Sequence, residues 1–154
     1  MRDAAGDPGR EPTVLISNRQ PLSIDHEALE ALARRTLLGE GLGRVELSVS
    51  FVDEAEIEEL HTRYLGEPGS TDVLSFPLDD VDEDGSNDGG VRMLGDIVVS
   101  PAVAARTDPA DPASELRLLL VHGILHLLGY DHEGADDRAE MWARQERYSG
   151  VRAP

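Results

Sequence analysis

The sequence predicts an α+β domain in which a mixed four-stranded sheet is flanked by helices, with a central buried helix that carries candidate metal ligands. Strand-like and helix-like segments are interspersed along the chain. The length of 154 residues fits one compact domain. Residues 116–128 are apolar nearly all round, which is typical of a helix at the centre of a domain.

The N-terminal third of the domain predicts a strand, a helix and a second strand. Residues 1–11 are polar and contain Gly and Pro, so we expect a disordered tail, followed by a single domain over residues 12–150. Residues 14–17 predict the first strand. Asp25 is expected to cap the first helix and Gly39 to end it. Residues 45–51 alternate apolar and polar side chains, as half-buried strands do.

A second helix follows directly. Asp53 is its expected N-cap, and Glu56 stands at the reciprocal position of a capping box. We expect its inner face to carry Ile57, Leu60, His61 and Tyr64.

Two further strands are predicted around an acidic segment. Residues 72–76, stopped by Pro77, indicate the third strand, and residues 93–100 the fourth. Residues 79–90 are rich in Asp, Gly, Ser and Asn, so we expect an acidic surface loop. The two strands can pair across that loop.

Two helices complete the prediction. Asp111 followed by Pro112 indicates the start of the central helix, which Gly129 would end. The last helix is predicted over residues 136–148. Its inner side is expected to consist of Met141, Trp142, Gln145 and Tyr148.

Composition limits the chemistry and the surroundings. The formal net charge is −17, all cationic side chains are arginine, and cysteine is absent. Thiolate metal sites, disulfides and cysteine nucleophiles are therefore excluded. The charge disfavours binding of DNA or other polyanions at long range. With no apolar N-terminal segment and no run of 18 apolar residues, we expect a cytoplasmic protein without membrane contact.

Three histidines predict a metal centre. His122 and His126 are four residues apart on a predicted helix, so both rings project from one side. A turn at Gly129 can bring His132 to the same ion. Three protein ligands leave one tetrahedral position for water, which is the arrangement of catalytic zinc sites.

A histidine on an apolar helix is more often a core residue bonded to the backbone. Here three of the five histidines lie within eleven residues, in surroundings that we expect to be buried. A shared cation would remove the cost of burying unpaired imidazoles, about 1–3 kcal/mol for each. The sequence therefore predicts one Zn²⁺ per chain.

The spacing HxxxHxxGxxH is also that of metzincin proteases. Those enzymes place a general-base glutamate directly after the first histidine, where this chain has Gly123. Glycine cannot transfer a proton, so a peptidase of that kind is disfavoured.

Three segments of the chain resemble one known family. HGILHLLGYDH at residues 122–132 closely resembles the signature of the YbeY family of endoribonucleases. STDVLSFP at residues 70–77 and LGDIVVS at residues 94–100 resemble two of its strands. The resemblance covers residues 12–150.

The resemblance implies a function and a set of partners. The fold would be a mixed four-stranded sheet flanked by helices, and His122, His126 and His132 would be the zinc ligands. The activity would be single-strand-specific RNA cleavage in maturation of the 3′ end of small-subunit rRNA and in ribosome quality control. Ribosomal RNA, the small ribosomal subunit, one of its proteins and a ribosome-assembly GTPase would be the partners.

The chain departs from the family pattern at two positions. Leu65 stands where many members carry an arginine thought to be functional, and Ser70 replaces the usual proline. Arg63 lies two residues from Leu65 and would point about 160° away from it on a helix. Substrate positioning is the property these changes affect.

The remaining candidates have secondary roles. Asp131 either orients the imidazole of His132 or caps the turn. Asp96 is expected to be a buried carboxylate with a structural role, and Trp142 to belong to the core. His26 and His61 lack ligand spacing.

Three functions follow in order. The first is a zinc-dependent endoribonuclease, in which either an activated water or the RNA 2′-hydroxyl attacks the phosphodiester. No general base is evident. Beyond the zinc-bound water, Asp131 and Arg63 are the candidates for a catalytic role. The second is a non-nucleolytic ribosome-assembly factor with an architectural zinc, and the third is a metalloprotease-like hydrolase.

Overall fold

The computed structural model describes residues 11–66, 72–78, 92–130 and 134–151. The predicted tail 1–11, apart from Glu11, and the predicted acidic loop 79–90 lie outside these residues. Four strands and five helices occur in the described part, in the order β1 (Thr13–Arg19), α1 (His26–Gly39), β2 (Val45–Val52), α2 (Glu54–Leu65), β3 (Val73–Pro77), β4 (Arg92–Val99), α3 (Pro101–Thr107), α4 (Pro112–Leu127) and α5 (Ala135–Ser149).

The four strands form one mixed sheet in the order β1-β2-β4-β3. Strands β1, β2 and β4 are parallel, and β3 is antiparallel to β4. Ser75 pairs with Ile97, and Ile97 pairs with Val49 on its other side. The predicted fold class and the predicted pairing of the third and fourth strands are confirmed.

The sheet has a core on each face. The larger core joins the sheet to α1, α4 and α5, and the smaller one lies under α2. The smaller core consists of Val52, Ile57, Leu74 and Val98. Successive residues of β3 point to opposite faces. Val73 and Ser75 therefore face α4, while Leu74 faces α2.

The central helix α4 is buried by three other helices and the sheet. Seven of its residues are buried: Leu116, Leu119, Leu120, Val121, Gly123, Ile124 and Leu125. Burying a leucine or isoleucine side chain contributes about 1.5–3 kcal/mol, so this helix is held in place by its core contacts.

Aspartate caps begin three helices as predicted. Asp25 accepts a hydrogen bond from Ala28 N in α1, and Asp53 accepts one from Glu56 N in α2. The third cap is Asp111, whose carboxylate accepts from Ser114 N in α4. In the predicted capping box the Glu56 carboxylate would bond back to the start of the helix. It pairs instead with Arg19 at 2.5 Å.

Two predicted ends are close to those of the structure. Helix α1 ends at Gly39, as predicted, and Glu40 is its C-cap. Gly39 is also needed for space, since a Cβ there would collide with the ring of Tyr148. Strand β3 ends one residue later than predicted, at Pro77, which pairs with Gly95.

One helix was not predicted. Helix α3 begins after Ser100, whose hydroxyl accepts a hydrogen bond from Val103 N, with Pro101 in its first turn. This Ser-Pro pair is a helix-start signal that the sequence analysis overlooked. No helix in the described ranges has both the length and the apolar character needed to cross a bilayer.

Two side chains are more exposed than the sequence predicted. Tyr64 was placed on the inner face of the second helix, but it is 59% exposed and meets Phe76 edge to face. Asp96 is exposed rather than buried. It lies on the sheet face that α2 only partly covers, in an open cavity with Arg19 and Ser50.

Candidate metal centre on the central helix

His122 and His126 lie one turn apart on α4, near its C-terminal end. Their ring centroids are 6.1 Å apart and their planes differ by only 9°. A ring that coordinates through one nitrogen has its centroid about 3.2 Å from the ion, so two rings on one tetrahedral ion have centroids about 5.2 Å apart. The observed separation is about 1 Å wider than that, so the two rings would move slightly towards each other on binding one ion.

The two imidazoles differ in exposure. His122 is half-buried, whereas His126 is exposed to solvent. The expectation that the predicted ligands are buried in apolar surroundings is therefore wrong for His126. Because the His126 ring is solvated, binding a metal would not relieve a desolvation cost there. The support for a metal comes instead from the geometry of the ring nitrogens.

Both rings are held through Nδ1. His122 Nδ1 lies 2.6 Å from Oε1 of Gln145, and His126 Nδ1 lies 3.2 Å from the carbonyl oxygen of Tyr130. Both oxygens can only accept, so Nδ1 is the donor in each ring, and in the neutral imidazole Nε2 then carries the lone pair. Metal-bound histidines commonly show this arrangement, with the second nitrogen bonded to an oxygen.

The third predicted ligand lies just after α4 in the sequence. His132 and its neighbour Asp131 lie outside the described residues. The described part of the chain contains no group of three or more His, Asp or Glu side chains placed to hold one ion. The histidine pair fits zinc by the chemistry of its donors, while the complete ligand set stays a prediction.

Gly123 brings α4 close to the sheet. A Cβ on Gly123 would lie 3.0 Å from Ile97 Cγ2 and 3.1 Å from Val73 Cγ2. The Ser75 hydroxyl donates to the Gly123 carbonyl at 3.0 Å. The position that carries the general base in metzincins therefore faces β3 and β4 here, and a glutamate would have to enter a packed interface.

A small cavity adjoins His122 at the edge of the sheet. Its volume is about 240 Å³, and its lining comes from the start of β3 and from α4 and α5: Asp72, Val73, Leu118, Leu119, His122, Trp142 and Gln145. The indole of Trp142 meets the His122 ring at 75° with centroids 6.3 Å apart. Trp142 is half-buried and packs against the core, as predicted, but it also lines this cavity.

Arg63 and Leu65 lie on α2, which packs on the opposite face of the sheet from α4. The Arg63 guanidinium pairs with Glu59 at 3.2 Å and lies 5.9 Å from the centre of the Tyr64 ring. Leu65 is 56% exposed at the end of the helix. A catalytic part for Arg63 stays a prediction. Ser70, the other departure from the family, lies outside the described residues.

A buried carboxylate lies behind the histidines. Glu40 accepts hydrogen bonds from the hydroxyls of Tyr148 and Tyr130 and from Arg144. Burial alone would raise the pKa of Glu40, but these three donors outweigh it and hold that pKa below the ordinary 4.5. Burial and the Glu40 carboxylate raise the pKa of Tyr130 to about 12.

Sequence reasoning missed the groups that orient the histidines. Gln145 was placed on the inner side of the last helix, but its contact with His122 was not foreseen. A glutamine within an otherwise apolar stripe was the available signal. Glu40 and Ser75 gave no signal, because their partners are 90 and 48 residues away along the chain.

The fold and this site define an α+β protein whose central helix presents a histidine pair beside a small cavity. The family model described as Endoribonuclease YbeY matches residues 15–150. The Endoribonuclease YbeY of Beutenbergia cavernae is 44% identical over 138 residues, which cover 86% of this chain and 91% of that protein. The Acidothermus cellulolyticus protein of the same name is 45% identical, covering 86% and 87%.

A solved structure agrees. The solution structure of TM1509 from Thermotoga maritima is similar with a TM-score of 0.57 and 30% identity, covering 89% of this chain and 87% of that one. The chain belongs to the YbeY family of endoribonucleases. The predicted family and enzyme class are thereby confirmed, and the class is that of RNA hydrolases rather than peptidases.

Proposed function

We propose that this protein is a zinc-dependent, single-strand-specific endoribonuclease that acts on ribosomal RNA. Its tasks would be maturation of the 3′ end of small-subunit rRNA and ribosome quality control. The observation that carries the metal-dependent part is the orientation of His122 and His126, whose Nδ1 atoms both face oxygens and whose Nε2 atoms have the lone pairs.

In this proposal His122, His126 and His132 hold one Zn²⁺ per chain. When bound, the ion would supply Lewis-acid stabilisation of the negative charge that develops on the phosphate. Gln145 and the Tyr130 carbonyl fix the two imidazoles, and the cavity beside His122 offers room for part of one nucleotide. Asp131 beside His132 remains the candidate for orienting the third ring.

The charge of the molecule bears on the substrate and its partners. A net charge of −17 opposes approach to free RNA, so we propose that the small ribosomal subunit, with one of its proteins and an assembly GTPase, presents the RNA. This proposal also places the protein in the cytoplasm, where those partners occur.

The test compares the metal-loaded wild type with His126→Ala on single-stranded rRNA fragments and on peptides. Because His126 is exposed, the alanine variant should change the free energy of unfolding by less than about 0.5 kcal/mol. We expect RNA cleavage to fall at least about 100-fold, since a metal supplies several kcal/mol of transition-state stabilisation. His26→Ala, an exposed histidine on α1, is the matched control and should cleave as the wild type does.

Each other outcome contradicts part of the proposal. RNA left intact by the wild type, with normal binding to the small subunit, would favour the non-nucleolytic assembly factor that the charge and Leu65 suggest. Hydrolysis of peptides would favour the protease-like enzyme. Protein purified without chelators or affinity nickel should contain about one zinc per chain, and absence of any metal at near-neutral pH would overturn the zinc centre.

A further inference from the structure

Glu40 is the acceptor of an unusually complete set of donors. Its side chain is only 6% exposed and accepts hydrogen bonds from the Tyr148 hydroxyl at 2.5 Å, the Tyr130 hydroxyl at 2.7 Å and Arg144 Nη1 at 2.8 Å. Burying a carboxylate without such partners costs several kcal/mol, so the three donors are what makes this position tenable.

Glu40 and its three donors come from three separate parts of the chain. Glu40 directly follows α1, Tyr130 follows the end of α4, and Arg144 and Tyr148 belong to α5. The Arg144 guanidinium also lies 5.0 Å from the centre of the Tyr130 ring, a cation–π distance. Tyr130 is thus fixed at its hydroxyl and on its ring face.

Tyr130 connects this cluster to the histidines. Its carbonyl oxygen accepts from His126 Nδ1 at 3.2 Å, while its hydroxyl donates to Glu40. The Tyr130 backbone N–H donates to the Leu125 carbonyl at 3.0 Å, which ties the same residue to the last turn of α4. Tyr130 also lies two residues before His132, the third predicted ligand, so its position limits where that residue can lie.

We propose that Glu40 is a positioning residue for the metal centre, acting on His126 through Tyr130. The carboxylate holds the phenol, the phenol holds the peptide group, and the carbonyl keeps the proton of His126 on Nδ1 so that Nε2 is presented to the ion. The part played in metal binding rests on the proposed function, whereas the control of the His126 tautomer does not.

Tyr148 makes it possible to separate positioning from simple stabilisation. It donates to the other oxygen of the same carboxylate, but its own carbonyl accepts from Arg35 at 3.1 Å rather than from an imidazole. Tyr148→Phe and Tyr130→Phe therefore remove the same chemical group from Glu40, and only Tyr130→Phe interrupts the path to His126.

The experiment uses the full chain with Tyr130→Phe, Glu40→Gln and the control Tyr148→Phe. Zinc affinity is measured by competition with a chromophoric chelator, and the His126 tautomer by imidazole ¹⁵N shifts of the metal-free protein. We expect Tyr130→Phe and Glu40→Gln to weaken zinc binding by about 10–100-fold, as loss of an outer partner does. In both, the His126 proton should redistribute towards Nε2. Tyr148→Phe should lower the melting temperature but keep the zinc affinity within about threefold.

Two results would overturn the inference. If Tyr130→Phe and Glu40→Gln keep the wild-type tautomer and zinc affinity and lose only melting temperature, Glu40 merely stabilises the fold. If all three variants weaken zinc equally, the path through Tyr130 is wrong. A wild type that binds no zinc, yet whose His126 tautomer shifts in Tyr130→Phe, would contradict the proposed metal centre and leave the positioning intact.

Discussion

At the scale of single residues, the sequence predicted the spacing of the histidines but not the hydrogen bonds that orient their rings. Four residues of helix are enough to place His122 and His126 on one side. The oxygens that select the Nδ1 protons come from Tyr130 and from Gln145, and neither contact follows from helical periodicity. Long-range side-chain pairs of this kind need the assembled fold.

Glu40 gives the molecule an acid-sensitive contact. Because its pKa is lowered in the folded protein, its stabilisation is fully present above pH 4.5, the ordinary value for the unfolded carboxyl. It is lost as the pH falls through the lower folded value, where the carboxylate is protonated and its ion pair with Arg144 is lost.

We therefore expect the difference in unfolding free energy between the wild type and Glu40→Gln to be largest near pH 7 and to shrink as the pH falls below 4.5. Urea unfolding of both proteins in one buffer series measures it. Glu30→Gln, whose ion pair with Arg34 is at the surface, is the control and should show a much smaller dependence. A constant difference between the wild type and Glu40→Gln at all pH values would contradict the assignment.

At the scale of elements, helix starts were predicted well because caps are local. Asp25, Asp53 and Asp111 each bond an amide three residues ahead, which the sequence shows directly. Helix α3 was missed because seven residues give too little periodicity to see. The end of α1 at Gly39 was predicted, but the second role of this glycine, which makes room for a ring from α5, was not.

Strand β4 contains a glycine that its neighbour requires. Gly95 has φ of 145°, and a Cβ there would collide with the Phe76 carbonyl of β3. It lies at a register shift in the pairing with β2. Met93 pairs with Glu46, and the next pair is Gly95 with Leu47, so one residue of β4 is passed over. The close approach of β3 therefore explains why the LGDI segment has a glycine at its second position.

Gly95→Ala should lower the free energy of unfolding by about 3 kcal/mol or more, since both the backbone angle and the contact with β3 are violated. Gly41→Ala is the control, because Gly41 also has positive φ, 84°, but nothing lies within 4 Å of the added Cβ. It should lose only about 1–2 kcal/mol. Equal losses in urea unfolding would show that the contact with β3 does not matter.

At the scale of the whole molecule, the sequence predicted the strands and the sheet but not their order. Strand β3 follows β2 along the chain, yet it lies beyond β4 at the edge of the sheet. That order depends on where α2 and α4 pack on the two faces, which single-segment patterns do not contain. The mixed character was predicted from the interspersed strands and helices, together with the pairing of the third and fourth strands.

The overall charge should dominate the binding of free RNA. With −17 on the protein, contacts must come from a few local arginines, so binding should be weak and fall as salt rises. For about three phosphate contacts, raising salt from about 50 to 200 mM should weaken binding to a single strand about 20-fold. Fluorescence anisotropy measures this, with an uncharged-backbone oligonucleotide of the same sequence as the control. Tight binding that persists at high salt would contradict the expectation.

The burial pattern of α4 has a consequence for how such a protein can evolve. Its buried leucines, valine and isoleucine hold the helix in the core, whereas His126 is exposed and makes no part of that core. Selection for folding and selection for the proposed metal binding would therefore act on different residues of one helix. A lineage could lose the imidazole at 126 without losing its shape, and survive as a scaffold on its partners after its chemistry had gone.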